Sequence, residues 1–129
     1  MKKILYVLMI CLSLVMTKPL LAGTCEGGEE FQGAINGHTY CRSSTTMSWW
    51  AAFGWCKKQG RKLASMNQLC IDWAGGSGNN LCPNMAVSTN SYTIWSSNPH
   101  INIQAIVVFL SSGTISVNNR SGGAFAVCY

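Results

Sequence analysis

Cysteines are the residues of this chain with the clearest chemistry. The 129-residue sequence contains seven of them, and one, Cys11, lies in an apolar N-terminal run. No pair among the other six has the two-residue separation of a zinc knuckle or a redox motif, so an even number in an exported chain predicts three disulfides. Six cysteines allow 15 pairings, and spacing alone does not choose among them. The six are Cys25, Cys41, Cys56, Cys70, Cys82 and Cys128.

Carboxylates and histidines do not form a catalytic set in this sequence. Glu29 and Glu30 are adjacent and diverge in a strand, and no spacing pairs either of them with Asp72 as acid and base. His38 and His100 are far apart and lack metal-ligand spacing. We therefore predict a non-catalytic, calcium-independent protein with no metal and no cofactor.

Aromatic and amide side chains suggest a binding role instead. Five tryptophans could stack on sugar rings. For Trp49, Trp55 and Trp95, which have apolar neighbours on a helix or a strand, we favour the core. Trp73 stands beside a glycine-rich segment and could combine with nearby amides to bind a ligand. The predicted ligand-binding residues are Trp73, Asn79, Asn80, Asn84 and Asn98.

Four cationic residues cluster after the tryptophans, at Lys57, Lys58, Arg61 and Lys62. Cations at the C-terminal end of a helix are explained by the helix dipole, and no array of arginines and aromatics accompanies them. Residues 23–129 hold six lysines and arginines against four acids, so their net charge is +2, whereas the full chain has +5. We predict no nucleic-acid partner.

The N-terminus predicts the compartment. Lys2 and Lys3 precede an apolar run over residues 4–16, and small or tolerated residues stand before Gly23, as in a secretory signal peptide. A run of about thirteen residues is too short to cross the roughly 30 Å of a bilayer core. Thr24 interrupts the motif that lipidation of Cys25 would need. We predict a signal peptide over 1–22, one domain over 23–129, a secreted, periplasmic or cell-surface location, and no membrane span after cleavage.

One helix positions the aromatic and cationic residues. Ser48 is a good N-cap and Gly60 stands where a left-handed C-terminal residue is favoured, so the helix covers about three turns between them. Trp49, Ala52, Phe53 and Cys56 recur at helical spacing, so we expect all four on one inward face.

Shorter elements surround this helix. Asn36-Gly37 predicts a turn before a short strand, and a hairpin closed by Cys25 and Cys41 is expected there. After Gly60 we predict a short strand over 62–66 and a second helix over 68–73. Residues 74–90 predict a long exposed loop, with a local bridge between Cys70 and Cys82.

The C-terminal third is strand sequence. Four runs, 92–96, 103–110, 114–118 and 124–128, are separated by turn residues and predict an antiparallel sheet of successive strands. Residues 105–110 are continuously apolar, so that strand is expected at the centre of the sheet, covered on both faces.

Several of these motifs resemble the C-type lectin-like superfamily. They are Trp49-Trp50-Ala51-Ala52 with Cys56, Trp95-Ser96-Ser97, the hairpin at Gly113 and the final Ala126-Val127-Cys128. The stretch 37–129 is similar to bacterial exported members of that superfamily. The resemblance implies an α+β C-type lectin-like fold, with two short helices, a small antiparallel sheet and a long loop, stapled by disulfides.

The same resemblance implies a pairing of the helix cysteine with the last-strand cysteine, Cys56 with Cys128, leaving Cys25 with Cys41 and Cys70 with Cys82. It does not bring calcium-dependent sugar binding, because the acidic triplets of those members are absent and Asp72 is the one acid after Glu30. Asn98-Pro99-His100 keeps a proline beside an asparagine without a carboxylate, so we interpret it as a turn.

Three functions are compatible with these patterns. The first is an adhesin-like module that binds a glycan or protein ligand at a cell surface through the long loop. The second is a structural or assembly subunit of a bacterial surface appendage. The third is a small hydrolase. The sequence does not specify the ligand or the oligomeric state.

Overall fold

The computed structural model describes residues 25–35, 38–70, 73–75, 82 and 92–129. They form a mixed β-sheet against which two helices pack. The elements are β1 (Gly28–Ile35), β2 (His38–Met47), α1 (Trp49–Lys58), α2 (Met66–Leu69), β3 (Thr93–Pro99), β4 (Gln104–Phe109), β5 (Ile115–Asn119) and β6 (Ala124–Cys128).

The six strands lie in the order β1-β2-β6-β3-β4-β5. Every neighbouring pair is antiparallel except β3 and β6, which run parallel through Ile94 and Phe125. The last strand therefore enters the middle of the sheet, between β2 and β3, rather than beside β5. The strands at the two edges are β1 and β5.

The fold class predicted from the sequence, an α+β C-type lectin-like domain with a small antiparallel sheet, is wrong. The sheet has six strands and is mixed, and the two helices span only ten and four residues. The N-terminal hairpin causes most of the difference. A hairpin closed by Cys25 and Cys41 was expected with one short strand, but β1 and β2 are long strands of eight and ten residues. The proposed turn at residues 36–37 lies outside the described residues.

The C-terminal strands follow their predicted ranges closely, but their order does not follow the chain. β3, β4 and β5 pair in succession as antiparallel neighbours. β4 is second from an edge rather than central, although Ala105, Ile106, Val107 and Val108 are all buried as expected.

Helix α1 has the ends that the sequence predicts. The Ser48 hydroxyl oxygen accepts from the Ala51 N–H at 3.3 Å, and Gly60 has a φ of 68° just after the helix. Its prediction as one helix is confirmed. Only Ala52 and Cys56 are fully buried on its inner face.

The second helix is displaced from its predicted range of 68–73. Ser65 is its N-cap, and the Ser65 and Gln68 side chains form a reciprocal capping box. The predicted strand over 62–66 is reduced to a single bridge between Leu63 and Cys128.

The described core has two clusters that alternate along the strands. Tyr40, Ile94 and Val127 belong to one cluster, and their sequence neighbours Cys41, Trp95 and Cys128 belong to the other. Because successive strand side chains point to opposite faces, the clusters cover the two faces of the sheet. Helix α1 contributes to the second cluster and α2 to the first, which explains why residues 105–108 of β4 are all apolar.

Three disulfides join the elements. They link Cys25 to Cys41, Cys56 to Cys128 and Cys70 to Cys82, with Cα atoms 5.4 to 5.5 Å apart. The three pairings are those expected from the sequence and the resemblance. The second bridge joins α1 to β6, and the first joins the start of the hairpin to β2.

In the part of the chain that the structure describes, neither helix has the length and apolar character needed to cross a membrane. The predicted signal peptide at 1–22 lies outside that part.

Candidate functional site

The predicted ligand site around Trp73 is only partly described. Trp73 is half-buried and packs against the core cluster that contains Tyr40 and Met66. The Asn98 side-chain oxygen accepts from the Met66 N–H at 2.7 Å, so it helps to fix the start of α2. Asn79, Asn80 and Asn84 lie outside the described residues, as does most of the predicted loop over 74–90. The site as a whole stays a prediction.

A second candidate is a groove beside α1, which we name the helix groove. It has a volume of about 580 Å³, within the range of small-ligand sites. Its wall is formed by the outer face of α1, by the segment that follows α1 and by one residue of β3. The lining residues are Phe53, Gly54, Lys57, Arg61, Lys62, Leu63 and Ser97.

The frame of the helix groove is held by backbone pairing. The Lys62 N–H donates to the Tyr129 carbonyl and the Tyr129 N–H to the Lys62 carbonyl, at 3.3 and 2.8 Å. On the other side, the Ser97 N–H donates to the Ala64 carbonyl at 2.8 Å. The segment after α1 is thus fixed between the end of β6 and β3. Hydrogen bonds on both sides therefore hold the backbone around Lys62, Leu63 and Ala64.

Three cationic residues line this groove, although the sequence analysis attributed them to the helix dipole alone. Lys57 is in the last turn of α1, where that explanation still applies. Arg61 is half-buried and donates through Nη1 to the Thr39 carbonyl at 3.0 Å, which anchors its guanidinium to β2. Lys62 is exposed beyond the helix end, so the cluster extends past the reach of the dipole.

Two large apolar residues, Phe53 and Leu63, line the groove. Leu63 is buried, whereas Phe53 is 39% exposed. Phe53 was expected on the inward face with Ala52 and Cys56, and that expectation is wrong. Its ring instead packs edge to face on Trp49, with centroids 4.8 Å apart, and leaves part of its surface to solvent.

The aromatic surface continues from the groove toward the start of α1. Trp49 is partly buried, its Nε1 donates to the Ser96 carbonyl at 2.8 Å, and the Arg120 guanidinium carbon lies 4.7 Å from its ring centroid. Trp50 is 57% exposed and meets Trp49 edge to face. Trp95 is fully buried, and Trp55 is half-buried against the same cluster. The predicted core position is therefore confirmed for Trp95, whereas Trp49 and Trp55 are only partly buried.

Sequence reasoning missed the helix groove because it considered only one face of α1. Trp50, Gly54, Lys57 and Arg61 also recur at three- and four-residue spacing, which marks a second face. That spacing was available as a signal. The contribution of Ser97 was not, because β3 lies more than thirty residues along the chain.

Acidic and metal-binding groups do not converge in the described structure. The Glu29 carboxylate accepts from Arg42 Nη2 at 2.6 Å on the β1-β2 hairpin. Within the described ranges, no group of three or more histidine, cysteine or acidic residues could hold a metal ion. That the protein is not an enzyme stays a prediction.

No protein-family model matches the chain, and no curated protein matches it. Membership of the C-type lectin-like superfamily therefore stays a prediction from the sequence motifs.

Proposed function

We propose that this protein is a secreted or surface-associated binding module and that the helix groove binds its ligand, a glycan or protein at a cell surface. The observation that carries the proposal is the combination of a partly exposed phenylalanine with three cations around one groove of fixed frame. Apolar surface with a few convergent charged groups is typical of ligand sites.

The disulfides support the compartment in this proposal. Three bridges join all six cysteines of residues 25–129, and such bridges persist in oxidising environments outside the cytoplasm. The predicted signal peptide gives a route to that environment. A location in the periplasm or at the cell surface satisfies both.

Binding to intact cells tests the proposal. The probe is the exported protein, labelled with a fluorophore. We expect Phe53→Ala and the double variant Lys57→Glu/Lys62→Glu to lower its affinity for cells by about tenfold or more, as removal of a binding hot spot does. The measurement is flow cytometry over a concentration series, after circular dichroism and thermal melts establish that each variant folds.

Matched controls lie outside the groove lining. Ile101→Ala removes a more exposed apolar side chain between β3 and β4, and Lys58→Glu reverses a neighbouring exposed charge. We expect each to retain affinity within about twofold, because surface changes away from a site have small effects. Cell binding that is unchanged in the folded groove variants would remove the groove from the proposal.

A subunit of a surface appendage is the second candidate function. The open sheet leaves β1 and β5 at its edges, and edge strands can pair with another chain. This function predicts concentration-dependent oligomers in size-exclusion chromatography. Substituting proline for Val117, in the middle of β5, would dissolve them if that edge forms the contact.

A further inference from the structure

We infer that the ligand of the helix groove is an acidic peptide segment with one apolar anchor side chain, lying across α1 at Gly54. This inference rests on the proposed function and specifies its ligand class. Its basis is the chemistry of the seven lining residues, which include three cations and no acid.

The polar groups of the lining side chains are mostly donors. Lysine and arginine side chains donate hydrogen bonds and accept none, so the Ser97 hydroxyl is the one side-chain acceptor among these lining residues. Sugar hydroxyls both donate and accept, and a neutral sugar would leave its donors without partners here. Carboxylates only accept hydrogen bonds, which matches the three cationic lining residues.

The two large apolar lining residues predict a second feature of the ligand. Phe53 and Leu63 offer apolar contact without a side-chain hydrogen-bonding group. A leucine or phenylalanine side chain of a peptide could bury its surface there, as anchor residues do at the centre of protein interfaces. Flanking aspartates or glutamates would then lie near Lys57 and Lys62.

Gly54 provides an independent observation. It lies inside α1, where glycine costs about 0.5–1 kcal/mol relative to alanine. It has no positive φ, and a Cβ added there would meet nothing within 4 Å. The described residues therefore give no packing or backbone reason for glycine. Its lack of a side chain opens the groove wall and lets a ligand approach the helix backbone.

The experiment measures the binding of dye-labelled, capped five-residue peptides to the exported protein by fluorescence polarisation. The first probe has leucine flanked by two aspartates on each side. The second replaces the aspartates with asparagines, and the third replaces the leucine with glycine. We expect the first to bind at least about tenfold more tightly than either of the others, with weaker binding as salt rises.

Variants assign this binding to the groove. Lys57→Glu/Lys62→Glu should weaken binding of the first probe by about tenfold or more, whereas Lys58→Glu should stay within about twofold. Gly54→Ala should weaken it about fivefold or more while raising the melting temperature, because the methyl group both narrows the groove and favours the helix. Loss of affinity in a more stable variant excludes unfolding as the cause.

Two results would overturn the inference. One is binding of an oligogalacturonate hexamer, an acidic glycan, through the same residues while the peptides do not bind. The other is a loss of log affinity in Lys58→Glu about half as large as that in Lys57→Glu/Lys62→Glu, which would indicate general charge attraction because the double variant changes the net charge twice as much. Either result leaves the proposed function standing if cell binding still depends on the groove. Groove-independent cell binding would reject the proposed function itself.

Discussion

Two buried polar residues of β2 show how single side chains are accommodated in the sheet. The Arg42 guanidinium carbon lies 3.8 Å from the centroid of the Tyr92 ring, and its Nη2 donates to Glu29. Stacking and pairing together offset the cost of removing this charge from water. On the same strand the Tyr40 hydroxyl donates to the Gln68 carbonyl at 2.9 Å, which ties the sheet to α2.

Tyr40 should make the protein lose stability in alkali. Burial raises the pKa of Tyr40 to about 12 from a usual 10, with a smaller contribution from Tyr129. Between these values the folded protein keeps a proton that the unfolded chain releases, so stability is full below pH 10 and falls as the pH rises toward 12. The loss is on the order of 2 kcal/mol.

Urea unfolding at pH 9.5 and 11.5 measures this loss, and Tyr40→Phe is the control. The phenylalanine variant cannot ionise at that position, so its free energy of unfolding should fall less across the interval. The two proteins share every other residue, so the difference between their two slopes isolates Tyr40. Equal slopes would contradict the assignment.

Gly60 follows a helix and Gly113 lies in a hairpin turn. The two glycines have similar backbone φ angles but different surroundings. Gly60 follows α1 with a φ of 68° and has open space around it. Gly113 lies between β4 and β5 with a φ of 72°, and a side chain there would collide with the Cys82 carbonyl. The Gly113 carbonyl also accepts from the Cys82 N–H at 2.8 Å. The β4-β5 turn therefore holds the segment that carries the third disulfide.

Alanine substitution should separate the two glycines. Gly60→Ala meets only the cost of a left-handed backbone, so we expect a loss of about 1 kcal/mol in the free energy of unfolding. Gly113→Ala adds a clash with a main-chain carbonyl, and a loss greater than about 2 kcal/mol is expected. Chemical denaturation of both variants provides the comparison, and equal losses would show that the Cys82 contact is not restrictive.

For the whole molecule, the disulfides connect regions that are distant in sequence. Cys41 and Cys128 are direct neighbours across β2 and β6, yet each bonds to a different partner. Cys41 holds the start of the hairpin through Cys25, and Cys128 holds α1 through Cys56. The two bridges thus secure the hairpin and α1 to the middle of the sheet.

Removing a disulfide should lower the free energy of unfolding more when the loop that it closes is longer. The Cys56–Cys128 bridge spans 72 residues and the Cys70–Cys82 bridge spans 12. Loop-closure entropy then predicts losses of about 4 and about 3 kcal/mol for the corresponding double alanine variants. Denaturation curves under non-reducing conditions test the order, and a larger loss from the shorter loop would contradict it.

Some features of the helix groove could be predicted from nearby residues in the sequence, and others could not. The spacing of Phe53, Gly54 and Lys57 on a capped helix could be predicted, because each depends on neighbours within a few residues. The position of Ser97 and the anchoring of Arg61 on the Thr39 carbonyl could not, because they require β2 and β3 to be placed first. The site predicted around Trp73 was based mainly on residues that are close together in the sequence.

The sequence by itself determined the ends of α1 and the approximate ranges of the C-terminal strands, because caps and alternation act between near neighbours. It favoured the two local cysteine pairs, although spacing alone did not fix them. Only the tertiary structure decided that β6 lies between β2 and β3 and that the N-terminal hairpin extends the sheet. These choices depend on contacts such as Ile94 with Phe125 and Arg42 with Val127, which join residues far apart in the chain. No local pattern of side chains records which distant strand will lie alongside.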